Sequence, residues 1–295
     1  MRMAAELLRI LFFPGLLFMA ACGLLFLFLE DGLARAVGGG ESRTRRSLGV
    51  RGVLSAVPAP GDVASSLAAA AAMGVAGMLL VRVEGDLFSL VILLSVPGLL
   101  PLMATALGEG EGAARIPLLF RGAAARLFAL ACIAAASGLR YPGEFTPGLK
   151  GFIDEGVFGA ARAWSGTGSI LVLSSQVLVA ASFFLALLGH PSIAALTRRG
   201  AEGAPGTALA ALAEGAERAV SMLLFAVICL GYPWRGTGGT VYWGACGLGM
   251  AAAATAARAW LEGRNAVFRR RVLTAAPVLA ALSLALAAAA AVIGG

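Results

Sequence analysis

With 295 residues, 59% of them hydrophobic and only 13% charged, the chain has too little polar surface to cover a soluble globule of its size. A balance of 23 basic against 16 acidic residues, net +7, raises nucleic acid as a partner, but the basic residues are scattered among short connections with no basic fold to carry them. Nucleic-acid binding is therefore excluded, and the expectation is an all-α polytopic membrane protein, one membrane domain over residues 1–295.

A helix of about 20 apolar residues crosses the roughly 30 Å hydrocarbon core of a bilayer. Such windows recur at residues 7–29, 63–81, 87–107, 122–139, 167–188, 218–231, 240–257 and 272–293, which predicts about eight spans. In the first, "MAAC" from Met19 to Cys22 loosely resembles a lipoprotein cleavage box. Cys22 is followed by "GLLFLFLE" rather than a polar tether, so an uncleaved helix is expected. The connection that follows is the longest. It is broken at Gly38, Gly39 and Gly40 and carries Arg43, Arg45 and Arg46, a run suited to a protein partner, to anionic headgroups, or simply to fixing topology.

The fourth window brings Arg126 into a span, in "RGAAARLFALACIAAA". A charge there is a functional candidate, and Arg126 is expected to snorkel to the nearer surface. The connection "RYPGEFTPGLKGFIDEGVFGAARAWSG" is expected to lay a short amphipathic segment, residues 152–164, on the membrane. Midway along the fifth window Ser174, Ser175 and Gln176 form a polar patch that bonds a neighbouring helix or lines an ion path. The next connection begins "HPSIAALTRRGAEGAPG" and contributes Arg198 and Arg199. Glu214, Glu217 and Arg218 open the sixth window; Glu214 and Arg218 stand four apart and can pair across one turn. Two readings stay open here, a surface ion pair and a proton-carrying carboxylate.

Arginines concentrate in alternate connections. Those after the first, third, fifth and seventh windows hold Arg35, Arg43, Arg45, Arg46, Arg51, Arg115, Arg121, Arg198, Arg199, Arg258, Arg264, Arg269, Arg270 and Arg271, whereas the others hold Arg82, Arg140, Lys150, Arg162 and Arg235. The positive-inside rule then predicts cytoplasmic odd-numbered connections and both termini outside. Cys22, Cys132, Cys229 and Cys246 all fall in spans without a CxxC pair and read as small core residues. His190 is the single histidine, so no histidine cluster can hold haem or zinc, and no metal or cofactor is expected in this chain.

The eight windows, the amino-terminal "LLRILFFPGLLFMAACGLLF" and the carboxy-terminal "ARAWLEGRNAVFRRRVLTAAPVLAALSLAL" together resemble the NuoH family of membrane proteins in respiratory complex I. The resemblance extends to the equivalent membrane subunits of energy-converting hydrogenases and formate hydrogenlyases. In that family the last cytoplasmic connection carries a glutamate, then alanine and arginines, matched here by Glu262, Ala266 and Arg269; "LGYPW", ending at Trp234, resembles the family's exit from helix six. The chain departs from the pattern in the loop after its fifth window, which keeps only Glu202, Glu214 and Glu217, and in its fourth window, which lacks the family's membrane glutamates.

The resemblance implies a non-catalytic subunit of an oxidoreductase in the cytoplasmic membrane, an anchor that couples a peripheral redox arm to proton or sodium movement. Iron–sulfur clusters and any nickel–iron site or quinone would belong to partner subunits. The partners implied are hydrophilic hydrogenase-like and iron–sulfur subunits, antiporter-like membrane subunits and the lipid bilayer. Candidates for the ion path are Glu214, Glu217, Arg126 and Gln176, and for the docking surface Arg43, Arg45, Arg46, Arg198, Arg199, Glu262, Arg269, Arg270 and Arg271. Two other readings remain. A free-standing transporter is opposed by the missing internal repeat, and a structural subunit that conducts nothing is favoured by the missing acids.

Overall fold

Residues 2–12, 15–37, 60–82, 86–107, 116–139, 166–188, 208–231 and 237–294 are described in the computed structural model. Among them the chain is all-helical: α1 (Arg2–Leu11), α2 (Leu16–Val37), α3 (Pro60–Arg82), α4 (Leu87–Leu107), α5 (Ile116–Gly138), α6 (Gly166–Leu188), α7 (Ala208–Phe225), a π turn (Ala226–Leu230), α8 (Thr237–Glu262) and α9 (Ala266–Gly294). Among the described residues three stretches are long and apolar enough to cross a membrane, Leu7–Phe26, Gly166–Leu188 and Val267–Ile293; Ser66–Val81, Leu87–Pro97 and Ala123–Gly138 are shorter apolar stretches. Large side chains such as Ile92, Ile170, Val241 and Val292 point outward, as a surface wetted by lipid allows and one wetted by water would penalise.

Several helices run a few residues past the expected windows, and two windows, the first and the sixth, depart most from the helices observed. The first is interrupted between α1 and α2, where the sequence places Pro14, which lacks a backbone N–H and is disfavoured inside a helix. The chain negotiates the break with wide backbone bonds, Gly15 N–H to the Arg9 carbonyl at 3.1 Å and Phe18 N–H to the Phe12 carbonyl at 3.2 Å. The sixth is longer than its apolar core, because α7 starts at Ala208, ahead of the window, in "ALAALAEGAE". Alanine, leucine and glutamate are strong helix formers, so the helix extends upstream of the hydrophobic window.

At its other end α7 runs straight into the π turn, buried from Ala226 to Cys229 and closed by Gly231 at φ 71, ψ −176. That backbone conformation is open essentially only to glycine. The amino end of α4 is fixed differently. The Asp86 carboxylate accepts the Ser89 N–H and the Ser89 hydroxyl, both at 2.8 Å, a side-chain cap on a helix start that would otherwise leave donors unmet.

The most extensive helix contact is α6 on α9. On α9 the buried positions Ala276, Ala280, Ser283, Ala287 and Ala290 alternate steps of four and three residues, and on α6 so do Gly168, Val172, Ser175, Val179 and Ser182. A repeat of 3.5 keeps one stripe of a helix against its partner, and small residues on it let the backbones approach. The Ser175 hydroxyl donates to the Ser283 carbonyl at 2.7 Å and that of Ser182 to the Ala276 carbonyl at 2.9 Å, while Val172 clusters with Ala290. Contact moves up α9 as it moves down α6, so the two helices are antiparallel.

Candidate functional site

Charged side chains inside an apolar helix bundle are costly unless paired, which makes the middle of α7 the place to begin. Glu217 and Arg218 lie about halfway along this helix, and both are buried, at 5% and 3% exposure. They are therefore not at the opening of the helix, and Arg218 does not lie on the surface where a Glu214 pair was expected. Glu214 is on the same helix, with its side chain outside the described residues.

Arg126 comes from the opposite side, the middle of α5. Its Nη2 is ion-paired with Glu217 Oε1, with the arginine side chain 28% exposed and the glutamate 7%. Arg126 thus turns to a carboxylate across the bundle instead of reaching only for the surface. Arg126 and Glu217 are each about ten residues from the start of their helices, about 15 Å at 1.5 Å per residue. Burying a charge costs several kcal/mol even after relaxation, a cost that falls mainly on Glu217 because Arg126 keeps part of its side chain exposed.

Gln176 is elsewhere. Its amide nitrogen donates to the Ala136 carbonyl at 3.3 Å, and Ala136 lies ten residues beyond Arg126 on α5, again about 15 Å along the axis. Of the expected polar patch, Ser175 and Gln176 are buried and reach α9 and α5 respectively, while Ser174 faces outward. The structure therefore brings Arg126 and Glu217 together and leaves Gln176 in a separate polar layer. The Ser137 hydroxyl is in the same layer, buried with no hydrogen-bond partner among the described residues.

Other residues were not singled out from sequence. Gly23 of α2 packs directly on Gly215 of α7: a methyl at Gly23 would fall 2.7 Å from Gly215 Cα and closer still to its carbonyl. This crossing lies two residues from Glu217. Arg258 of α8 donates to the Leu187 carbonyl at 3.1 Å, satisfying one of the open carbonyls at the end of α6. A pattern of small residues at steps of four and three was the available signal for Ser182 and Ser283, and neither Gly23 nor Arg258 carries one.

Among the expected docking residues, Arg269, Arg270 and Arg271 are exposed at the start of α9. Glu262 ends α8 with its side chain outside the described residues, and Arg43, Arg45, Arg46, Arg198 and Arg199 lie outside them altogether, as does the segment 152–164. Among the described residues no three His, Cys, Asp or Glu side chains converge to hold a metal ion. No family model, curated protein or solved structure matches the chain.

Proposed function

We propose that the chain is an eight-span protein of the cytoplasmic membrane with both termini outside, serving as the anchor and coupling subunit of a complex I-like or membrane-bound hydrogenase-type complex. The observation that carries this reading is the Arg126–Glu217 pair, a carboxyl and a guanidinium kept inside a bundle where leucine or alanine would cost less. The alternation of arginines supports the topology, and so does the antiparallel packing of α6 and α9, since a fifth and an eighth span must run in opposite directions. Arginines of the first and fifth connections would receive the peripheral arm, steering an acidic partner surface by their summed field. In such a machine the redox chemistry belongs to the partner subunits.

A second reading is favoured by the closure of the same pair. Glu217 is committed to Arg126 across the bundle, an interhelical tie of the kind a structural subunit that conducts nothing would keep. The double variant Glu214→Gln/Glu217→Gln separates the two in vesicles containing the whole complex. Loss of ion pumping with assembly intact is expected for a coupling subunit, and unchanged pumping assigns the structural role. If the chain runs alone or as a homo-oligomer on a native gel in mild detergent, both give way to a free-standing transporter.

A further inference from the structure

The corner between α8 and α9 gathers four arginines and several exposed apolar side chains. Backbone bonds from Gly263 N–H to the Ala259 carbonyl, 3.3 Å, and from Arg264 N–H to the Leu261 carbonyl, 3.1 Å, end α8. The Asn265 side chain then accepts the Phe268 N–H at 2.7 Å and starts α9. Within this short turn the Arg264 guanidinium stands 5.0 Å over the Trp260 ring, and Trp260 meets Phe268 edge-on at 5.7 Å. Trp260, Val267 and Phe268 are nonetheless exposed, at 52%, 60% and 39%.

Arg269, Arg270 and Arg271 follow immediately, all exposed. They sit within the first two turns of the membrane-crossing stretch Val267–Ile293. Among the described side chains no acid pairs with them or with Arg264, and α9 has no acidic residue in its first turn. Like charges packed this closely repel one another unless an anion lies between them.

Two surroundings can be set aside. Bulk water would leave an exposed indole, phenyl ring and valine wetted beside a span, and hydrocarbon would strand four guanidiniums. The headgroup layer satisfies both sets, because aromatic rings settle at the glycerol level and long basic side chains reach the phosphates. We propose that this corner binds the headgroups of anionic phospholipids, with Arg264 and Arg271 flanking the Trp260–Phe268 pair and taking phosphate oxygens through two-pronged guanidinium bonds. Phe268 and Arg271 are three apart and share a face of α9, whereas Arg269 and Arg270 are rotated away by successive steps of 100° and meet adjacent lipids. An acidic soluble partner is the less suitable occupant, because the apolar part of the corner is continuous with the span. The site does not depend on which face of the membrane it occupies or on the proposed coupling role, and it takes Arg269, Arg270 and Arg271 out of the docking surface.

The test uses the whole purified chain in neutral detergent, with native mass spectrometry counting retained phosphatidylglycerol against phosphatidylcholine of the same acyl chains. The wild-type protein is expected to prefer phosphatidylglycerol, the preference to fall about fivefold for each arginine changed, and the set Arg264→Gln, Arg269→Gln, Arg270→Gln, Arg271→Gln to abolish most of it. Equal retention of the two lipids by the wild-type protein overturns the proposal, as does an undiminished preference in the folded quadruple variant. Should that variant not fold, the wild-type protein still decides the matter. Brominated phosphatidylglycerol should quench the fluorescence component lost in Trp260→Phe more than brominated phosphatidylcholine does, with the difference fading at high salt, and equal quenching overturns the site. If the quadruple variant sheds an acidic partner subunit while its lipid preference is unchanged, the corner belongs to that partner and the lipid assignment fails.

Discussion

Two crossings in the molecule hold helices together by opposite means. The α6–α9 seam is long, neutral and repetitive: small residues at steps of four and three, with the hydroxyls of Ser175 and Ser182 each given to a carbonyl across the interface. The packing of α7 on α2 is extensive as well, but it includes two contacts of another kind: Gly23 meets Gly215 backbone to backbone and, two residues on, Glu217 meets Arg126 of α5. A distributed seam shares any defect among many contacts. A backbone-to-backbone approach and a buried ion pair cannot share a defect in that way, so substitutions of similar size should have unequal effects in the two places.

The largest effect should come from Gly23→Leu. No rotamer removes its Cβ from the Gly215 backbone, and overpacking of this kind costs about 3 kcal/mol or more when backbone must move. The protein should lose its cooperative melt in detergent, and an unchanged melting temperature would show that α2 and α7 do not cross there. Next is Arg126→Leu, which takes the guanidinium away from the buried Glu217. Breaking a fully buried pair costs about 3–5 kcal/mol, and the partial exposure of Arg126 reduces this to about 1–3 kcal/mol. Changing Glu217→Leu as well should recover most of the loss, a coupling that a double-mutant cycle on melting temperatures measures directly.

In the distributed seam, Ser175→Ala and Ser182→Ala should each cost only about 0.6 kcal/mol. They lie seven residues apart and should add with little coupling, so a strongly non-additive pair would mean that the seam is one cooperative contact instead of many independent ones. The smallest effect belongs to Asp86. The Ser89 N–H is the main cause holding its carboxyl below the usual range, with further help from the Ser89 hydroxyl. A carboxyl depressed in the folded state stabilises the protein above its unfolded value, about 3.9, and that contribution disappears as the pH falls from there through the folded value. Asp86→Asn should therefore flatten the acid limb of the melting curve slightly, and the same limb in both proteins would remove the cap from consideration.

The two crossings also differ in how far they could be read in advance. An all-helical chain rich in apolar windows followed from composition and hydropathy, and the Ser175–Gln176 patch stood out because polar residues are conspicuous against leucine and valine. The rest of the α6–α9 stripe was present in the sequence but hidden, since α9 is so rich in alanine that nearly every stripe on it is made of small residues. The Arg126–Glu217 pair spans α5 and α7, and nothing local to either residue points to the other. The position of Glu217 within its helix was missed for a related reason: hydropathy located the apolar core of α7, whereas its upstream half is held by alanine-rich helix propensity.

The π turn at Ala226–Leu230 has a consequence for how the chain tolerates changes in length. Its bonds run from i to i+5 and not i to i+4, so it accommodates one residue more than an α-helical turn over the same rise. Deleting a single residue there would let α7 finish as an ordinary α-helix, with Gly215 and Glu217 still facing α2 and α5. The adjustment would fall downstream, on Gly231 and the approach to α8. A one-residue deletion, ruinous in the middle of most packed helices, has at this point a built-in place to be absorbed.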